Sequence, residues 1–320
     1  MAHPLSERVE QLFDEAERDR SLATYSDNAQ MQCMRRRVRA KSAVAPIPRL
    51  FARTAYWETL DPRERMEHMM RGLATVRPDT VFAGPSAALA HGLPISFGRL
   101  SKPCVATDRR SHTESSPSIQ RICVQGDDSA TANGFCVTSL LRTAFDCLRT
   151  FDFRDGLAIA DAALRKEGMS GEQLVERLSE FGPRKGIRRV IETACHADAR
   201  SESGGESIAR AVMIENGFQV PELQVEFAHP LDPGRVFRAD YCWRLDDGTV
   251  VVGELDGREK YRNPEMTGGR DVVDVLADER LRETFINATG AKVMRFSYKN
   301  VLDEAYFASL LDLFGVPRVA

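Results

Sequence analysis

The sequence predicts a mixed α/β chain with more than one domain, and three observations lead there. Its 320 residues exceed the ordinary size of one domain. Its composition is 42% apolar and 28% charged, enough apolar material for a sizeable core. That balance excludes a disordered tail, a collagen-like fibre and a small disulfide scaffold. The hydrophobic spacing also changes along the chain: helical to residue 94, short extended pieces over 95–138, helices again to 197, then an α-β-β-β-α-β-α order. The expected division is 1–60, 61–200 (mostly helical, with the short strands) and 201–320.

Residues 4–20 read as a helix with Val9, Leu12 and Phe13 on one side. Residues 27–41 read as a second, with Asp27 as N-cap. The proline-marked AVAPIPRLFART then runs extended to the pair Tyr56–Trp57. Helix, turn, helix and extended arm outline a winged helix-turn-helix, whose third helix has only residues 21–26 to draw on.

Charge is segregated in this region. The chain carries 44 basic and 47 acidic residues, net −3, which excludes a polycation wrapped on nucleic acid. From Asn28 to Trp57, however, there is no acid, while Arg35, Arg36, Arg37, Arg39, Lys41, Arg49 and Arg53 all fall there. A cation-rich helix with a basic arm suits phosphate contact and groove insertion in DNA. The plainer alternative is a solvated face paired with acids elsewhere in the fold.

Further on, Asp61 with Pro62 starts a helix over 61–78, and GPSAALAHGLP (84–94) forms a short one in which His91 is structural. PCVAT, QRICVQ and FCVTS read as extended, and four helical stretches follow. Ala199–Gly205 reads as a linker. The last third gives a helix at 206–217 and strands at 223–227, 235–244 and 249–257, with a hairpin at Asp246–Gly248. A polar loop over 258–270, a helix over 271–290, a strand over 291–298 and a helix over 300–315 complete it. No run approaches the roughly 20 apolar residues of a membrane helix, and the first 20 residues hold no apolar signal core. The seven cysteines include no C-x-x-C pair, so free thiols in a reducing cytoplasm are expected. Cys195–His196 has no nearby partners for a zinc site.

Carboxylates gather at the ends of the predicted strands. Glu254 and Asp256, two apart, share a face. The hairpin brings Asp240 beside them, and Glu206 on the preceding helix adds a fourth acid if that helix crosses the face. They end a very apolar strand and precede Gly257. Burying such charge is costly without a partner, and a hard cation such as Mg²⁺ (or Mn²⁺) is one. Such an ion activates water and stabilises a phosphodiester transition state. Ion pairs with Arg238, Arg258 and Lys260 are the alternative.

The pieces Gly205–Arg210, Pro221–Val225, Arg238–Tyr241, Gly253–Gly257, Asp278–Arg282 and Gly290–Phe296 together resemble the PD-(D/E)XK restriction-endonuclease-like superfamily. More closely, they resemble a bacterial branch of unknown function related to very-short-patch-repair endonucleases. The resemblance implies an αβββαβ core with Asp240, Glu254 and Asp256 as metal ligands. It implies Glu206 as the helix acid, and Gln224 and Arg280 in support. The family's Glu-x-Lys stands here as Glu254-Leu255-Asp256, which makes Lys260 the candidate lysine; Tyr261 stands where relatives carry a histidine. The basic window, residues 84–94 and Thr138–Asp146 are similar to proteins that join an AbiEi-antitoxin-like winged helix to such a domain.

Two functions are expected on these grounds. One is a metal-dependent endonuclease that hydrolyses DNA phosphodiester bonds. The other is a non-catalytic DNA-binding regulator or antitoxin-like protein with a degenerate nuclease domain. The second implies a protein partner of the toxin–antitoxin or defence kind. No Walker A, G-x-S-x-G or G-x-G-x-x-G pattern supports another chemistry.

Overall fold

A computed structural model describes residues 4–108, 116–124, 128–256 and 284–319. The chain has the mixed α/β class expected, in two compact units: Met1–Thr150 with Val175–Ile191, and Phe151–Leu174 with Glu192–Ala320.

The first unit begins with α1 (Pro4–Arg18) and α2 (Asn28–Arg39), which is N-capped by Asp27. Val9, Phe13 and Ala16, one helical stripe of α1, close on Met34, Ala43 and Phe51. No third helix forms at 21–26. That stretch is turn and isolated bridge, Ala23 pairing with Phe51. With Ser, Thr and Tyr and no apolar stripe, it gains more from this backbone pairing than from one helical turn. The arm is an antiparallel hairpin, β1 (Ala43–Ile47) with β2 (Leu50–Arg53). Tyr56 and Trp57 do not end an extended arm; they lie in the short α3 (Thr54–Thr59). In α4 (Pro62–Val76) the expected Asp61 cap closes a capping box with Glu64.

α5 (Gly84–Ala90) and α6 (Leu140–Leu148) flank four short strands, β3 (Cys104–Thr107), β4 (Gln120–Cys123), β5 (Ser129–Ala132) and β6 (Phe135–Thr138). β3 and β4 pair parallel, β5 and β6 antiparallel. The sequence pattern missed β5, whose Ser-Ala-Thr-Ala lacks apolar alternation. His91 Nε2 lies 2.8 Å from the Thr138 carbonyl, a structural contact. α8 (Gly171–Ser179) and α9 (Ile187–Ala194) each straddle the division between the units.

The second unit holds α7 (Phe153–Glu167) and α10 (Gly204–Glu215), joined by Arg210, whose Nη2 donates to both Asp161 oxygens at 2.7 and 2.8 Å. Ala199–Gly205, read as a linker, lies within this unit; Ser201 is buried and Ser203 N-caps α10. β7 (Glu222–His229), β8 (Asp232–Arg244), β9 (Val250–Asp256) and β10 (Lys292–Ser297) form one sheet in the order β10-β9-β8-β7. β7, β8 and β9 are an antiparallel meander, and β10 joins β9 parallel. A parallel return requires a crossover, and residues 284–288 (α11) are helical immediately before it. The expected helix over 300–315 is two, α12 (Tyr298–Leu302) and α13 (Glu304–Phe314), because Asp303 turns the chain and N-caps α13.

Val251 and Val252 are adjacent on β9 and enter different cores, one with Tyr241, Trp243, Phe296 and Phe307, the other with Phe237, Ala239 and Ile286. Both sheet faces are therefore covered. On β8, Phe237 and Ala239 face one core and Tyr241 and Trp243 the other, although all four are odd-numbered. The pleat alternation thus breaks at Asp240, opposite Gln224, which holds φ +55°.

Candidate nucleic-acid interface and carboxylate cluster

The seven cations of the acid-free window fall into two groups. Arg53 is bound by three acids of α1. It donates to Glu10 at 2.5 Å, Asp14 at 2.7 Å and Glu17 at 2.9 Å. Arg37 pairs with Glu10 and donates to Ser6 at 3.2 Å. Both guanidiniums also lie over the Phe13 ring. The hydrogen bond from Arg53 draws the Glu10 carboxyl below its ordinary range. These two arginines fasten α2 and the hairpin to α1.

Arg35, Arg36, Arg39, Lys41 and Arg49 are exposed, and none makes an ion pair with a described carboxylate. Local backbone geometry sets two of them. Ser42 N–H donates to the Arg37 carbonyl and Lys41 N–H to that of Val38, the Schellman pattern that ends a helix. Lys41, at φ +61°, takes the left-handed position where glycine is usual. Arg49 does the same at φ +73° in the Pro48–Arg49 turn of the hairpin. For a residue with a Cβ this costs about 1–2 kcal/mol.

In the second unit the structure brings three of the predicted residues together, Glu206, Gln224 and Asp240, with Glu254 on the neighbouring strand. Glu206 is clasped at the start of α10. Its carboxylate accepts from Glu202 N–H at 2.8 Å, Ser203 Oγ at 2.8 Å and Gln224 Nε2 at 3.1 Å. Burial pushes this carboxyl above its ordinary range and Asp240 adds to the push, against the backbone donation from Glu202. Asp240 Oδ2 accepts the Leu255 N–H at 2.9 Å, which ties β8 to β9 next to Glu254. Glu254 is buried at 8% exposure. Asp256 stands apart from them in its bonding, because Arg295 of β10 takes it as an ion pair. Lys260, Arg280 and Gly257 lie outside the described residues. Among the described residues no three His, Cys, Asp or Glu side chains are arranged to hold a metal ion.

Residue-by-residue reading missed Tyr25, Glu202 and Arg295. Tyr25 is an aromatic within a polar turn, and Arg49 lies over its ring. Arg295 is the register partner of Glu254, a relation that strand pairing alone reveals.

Two uncharacterized proteins of Mycobacterium tuberculosis, from strains CDC 1551 / Oshkosh and ATCC 25618 / H37Rv, are similar to this chain. Each is 34% identical over 113 residues, 35% of this chain. The match spans 40% of the length of those relatives. No family model and no solved structure matches. No described helix is long and apolar enough to cross a membrane.

Proposed function

We propose that this chain acts on DNA and holds the duplex through the exposed basic face of α2 and the β1–β2 hairpin. One observation carries the reading. The fold neutralises Arg37 and Arg53 with the acids of α1, yet leaves Arg35, Arg36, Arg39, Lys41 and Arg49 without described carboxylate partners. Cations on a helix and a hairpin tip suit phosphates and a groove. The test is a gel shift of the full chain on short duplex DNA. Changing Arg35, Arg36 and Lys41 together to Ala should weaken binding at least about tenfold, since every lost phosphate contact lowers affinity. Equal binding by the variant refutes the reading.

Once DNA is bound, two outcomes are open, each with its own support. Hydrolysis of phosphodiester bonds is favoured by Asp240, whose charge acts on the half-buried Glu206, and by the buried Glu254 on the neighbouring strand. Asp240 and Glu254 are oxygen donors that suit a hard divalent ion, Mg²⁺ or Mn²⁺. Bound there, it would supply charge neutralisation and an activated water. Glu206 and Gln224 would orient that end of the sheet. A non-catalytic regulator, antitoxin-like and with a protein partner, is favoured by the Asp256–Arg295 pair, which occupies one of the three expected metal ligands. Plasmid cleavage with Mg²⁺ or Mn²⁺, abolished by Glu254→Ala, selects the nuclease. Equal inertness of both proteins, with duplex binding intact, selects the regulator.

A further inference from the structure

Three of the five exposed cations surround a cavity of about 480 Å³. Arg35 and Arg39 of α2 and Arg49 of the hairpin turn line it, and its apolar wall includes Tyr25, Val38 and Phe51. The Tyr25 and Phe51 rings lie 6.3 Å apart, tilted by 52°. The Arg49 guanidinium sits 5.5 Å from the centroid of the Tyr25 ring. The walls are fixed by backbone contacts. Ala23 and Phe51 exchange hydrogen bonds at 2.8 and 2.9 Å, and Thr24 Oγ1 donates to the Arg49 carbonyl at 3.2 Å.

Three features set this cavity apart from a solvated basic face. Its cations come from two separate elements and line one cavity, and none has a described carboxylate partner. Arg49 is held in left-handed backbone at φ +73°, at a turn where glycine would fit without strain. The cavity also offers an aromatic ring beside the guanidiniums. Guanidiniums bind phosphate oxygens in a planar fork, and an aromatic face stacks on a nucleobase.

We infer that this cavity is a binding site for a single nucleotide, with the phosphate on Arg35, Arg39 and Arg49 and the base against Tyr25. The source is either a nucleotide turned out of a bound DNA strand or a free nucleotide. The first rests on the proposed DNA binding and deepens it, because base stacking distinguishes one displaced nucleotide from general phosphate attraction.

The experiment uses the full chain and measures binding of thymidine 5′-monophosphate, inorganic phosphate, a paired duplex and the same duplex with a one-nucleotide bulge. The nucleotide should bind at least about tenfold more tightly than phosphate, the size of one stacking contact. Tyr25→Leu should remove most of that preference and leave phosphate binding unchanged. Arg49→Gly, which relieves the backbone, should weaken both about tenfold with the melting temperature kept or raised. A preference for the bulged duplex marks the DNA strand as the source. Equal duplex binding with tight nucleotide binding marks the free nucleotide. Nucleotide binding no tighter than phosphate, or wild-type binding by both variants, overturns the site. If that happens while the duplex still binds, the DNA reading stands alone; tight nucleotide binding with no duplex binding leaves the site and removes the DNA reading.

Discussion

Glu206 shows how a single carboxylate is placed under opposing influences. Burial and the neighbouring Asp240 favour its protonated form, while Ser203 and the Glu202 N–H favour the charged one; burial prevails and the carboxyl titrates high. A carboxyl raised in the folded state stabilises most below the ordinary pKa of about 4.3, and that contribution is lost as the pH rises through the folded titration. Asp240→Asn removes the repulsion, so Glu206 should titrate lower and the fall in stability with rising pH should shrink. Side-chain carboxyl NMR over an acid titration checks this, and an unmoved Glu206 would contradict it. The acids themselves were legible, since a carboxylate at the end of an apolar strand stands out. Their partners were not. Arg295 meets Asp256 because β10 runs parallel to β9, with Arg295 beside Glu254 in register.

Most elements were legible because their caps and apolar stripes are local. Asp27 and Asp61 cap the helices expected of them, and the three strands of the second unit's meander fall close to where they were expected. Misreadings occurred where a local signal was weak or overrun. The apolar residues spaced through Val301–Phe314 hid the break at Asp303, and α3 buries no residue to betray its period. Gly84 gives a prediction at this scale. It opens α5 with φ +51°, and a Cβ there would lie 2.6 Å from Ile122 Cδ1. Gly84→Ala should lower stability by about 1–2 kcal/mol through backbone strain, even if Ile122 moves aside. Urea unfolding at constant slope measures it, and unchanged stability would show that α5 begins differently.

Across the whole chain, a net charge of −3 conceals opposite halves of the chemistry. Residues 200–320 carry 15 cations against 21 acids, while the window 28–57 carries seven cations and no acid. Duplex binding through the exposed cations should give a log–log salt slope of about −3 to −4.5, from roughly 0.9 per phosphate neutralised. Anisotropy titrations from low to moderate salt read this slope. Arg37→Met should leave it in place while loosening the first unit, because that arginine is committed to Glu10. A slope near zero would remove phosphate contact from the account. The sequence by itself determined the class of the fold, many of its helices and strands, and which residues carry charge, because periodicity and caps act over a few residues. Tertiary structure alone decided which charges stay available. Arg53 meets Glu10 across 43 residues of chain and Glu17 across 36, and the pleat reverses at Asp240 where Gln224 takes a left-handed turn. Ion pairing and strand irregularity depend on which distant segments the core brings together, and no local pattern encodes that meeting.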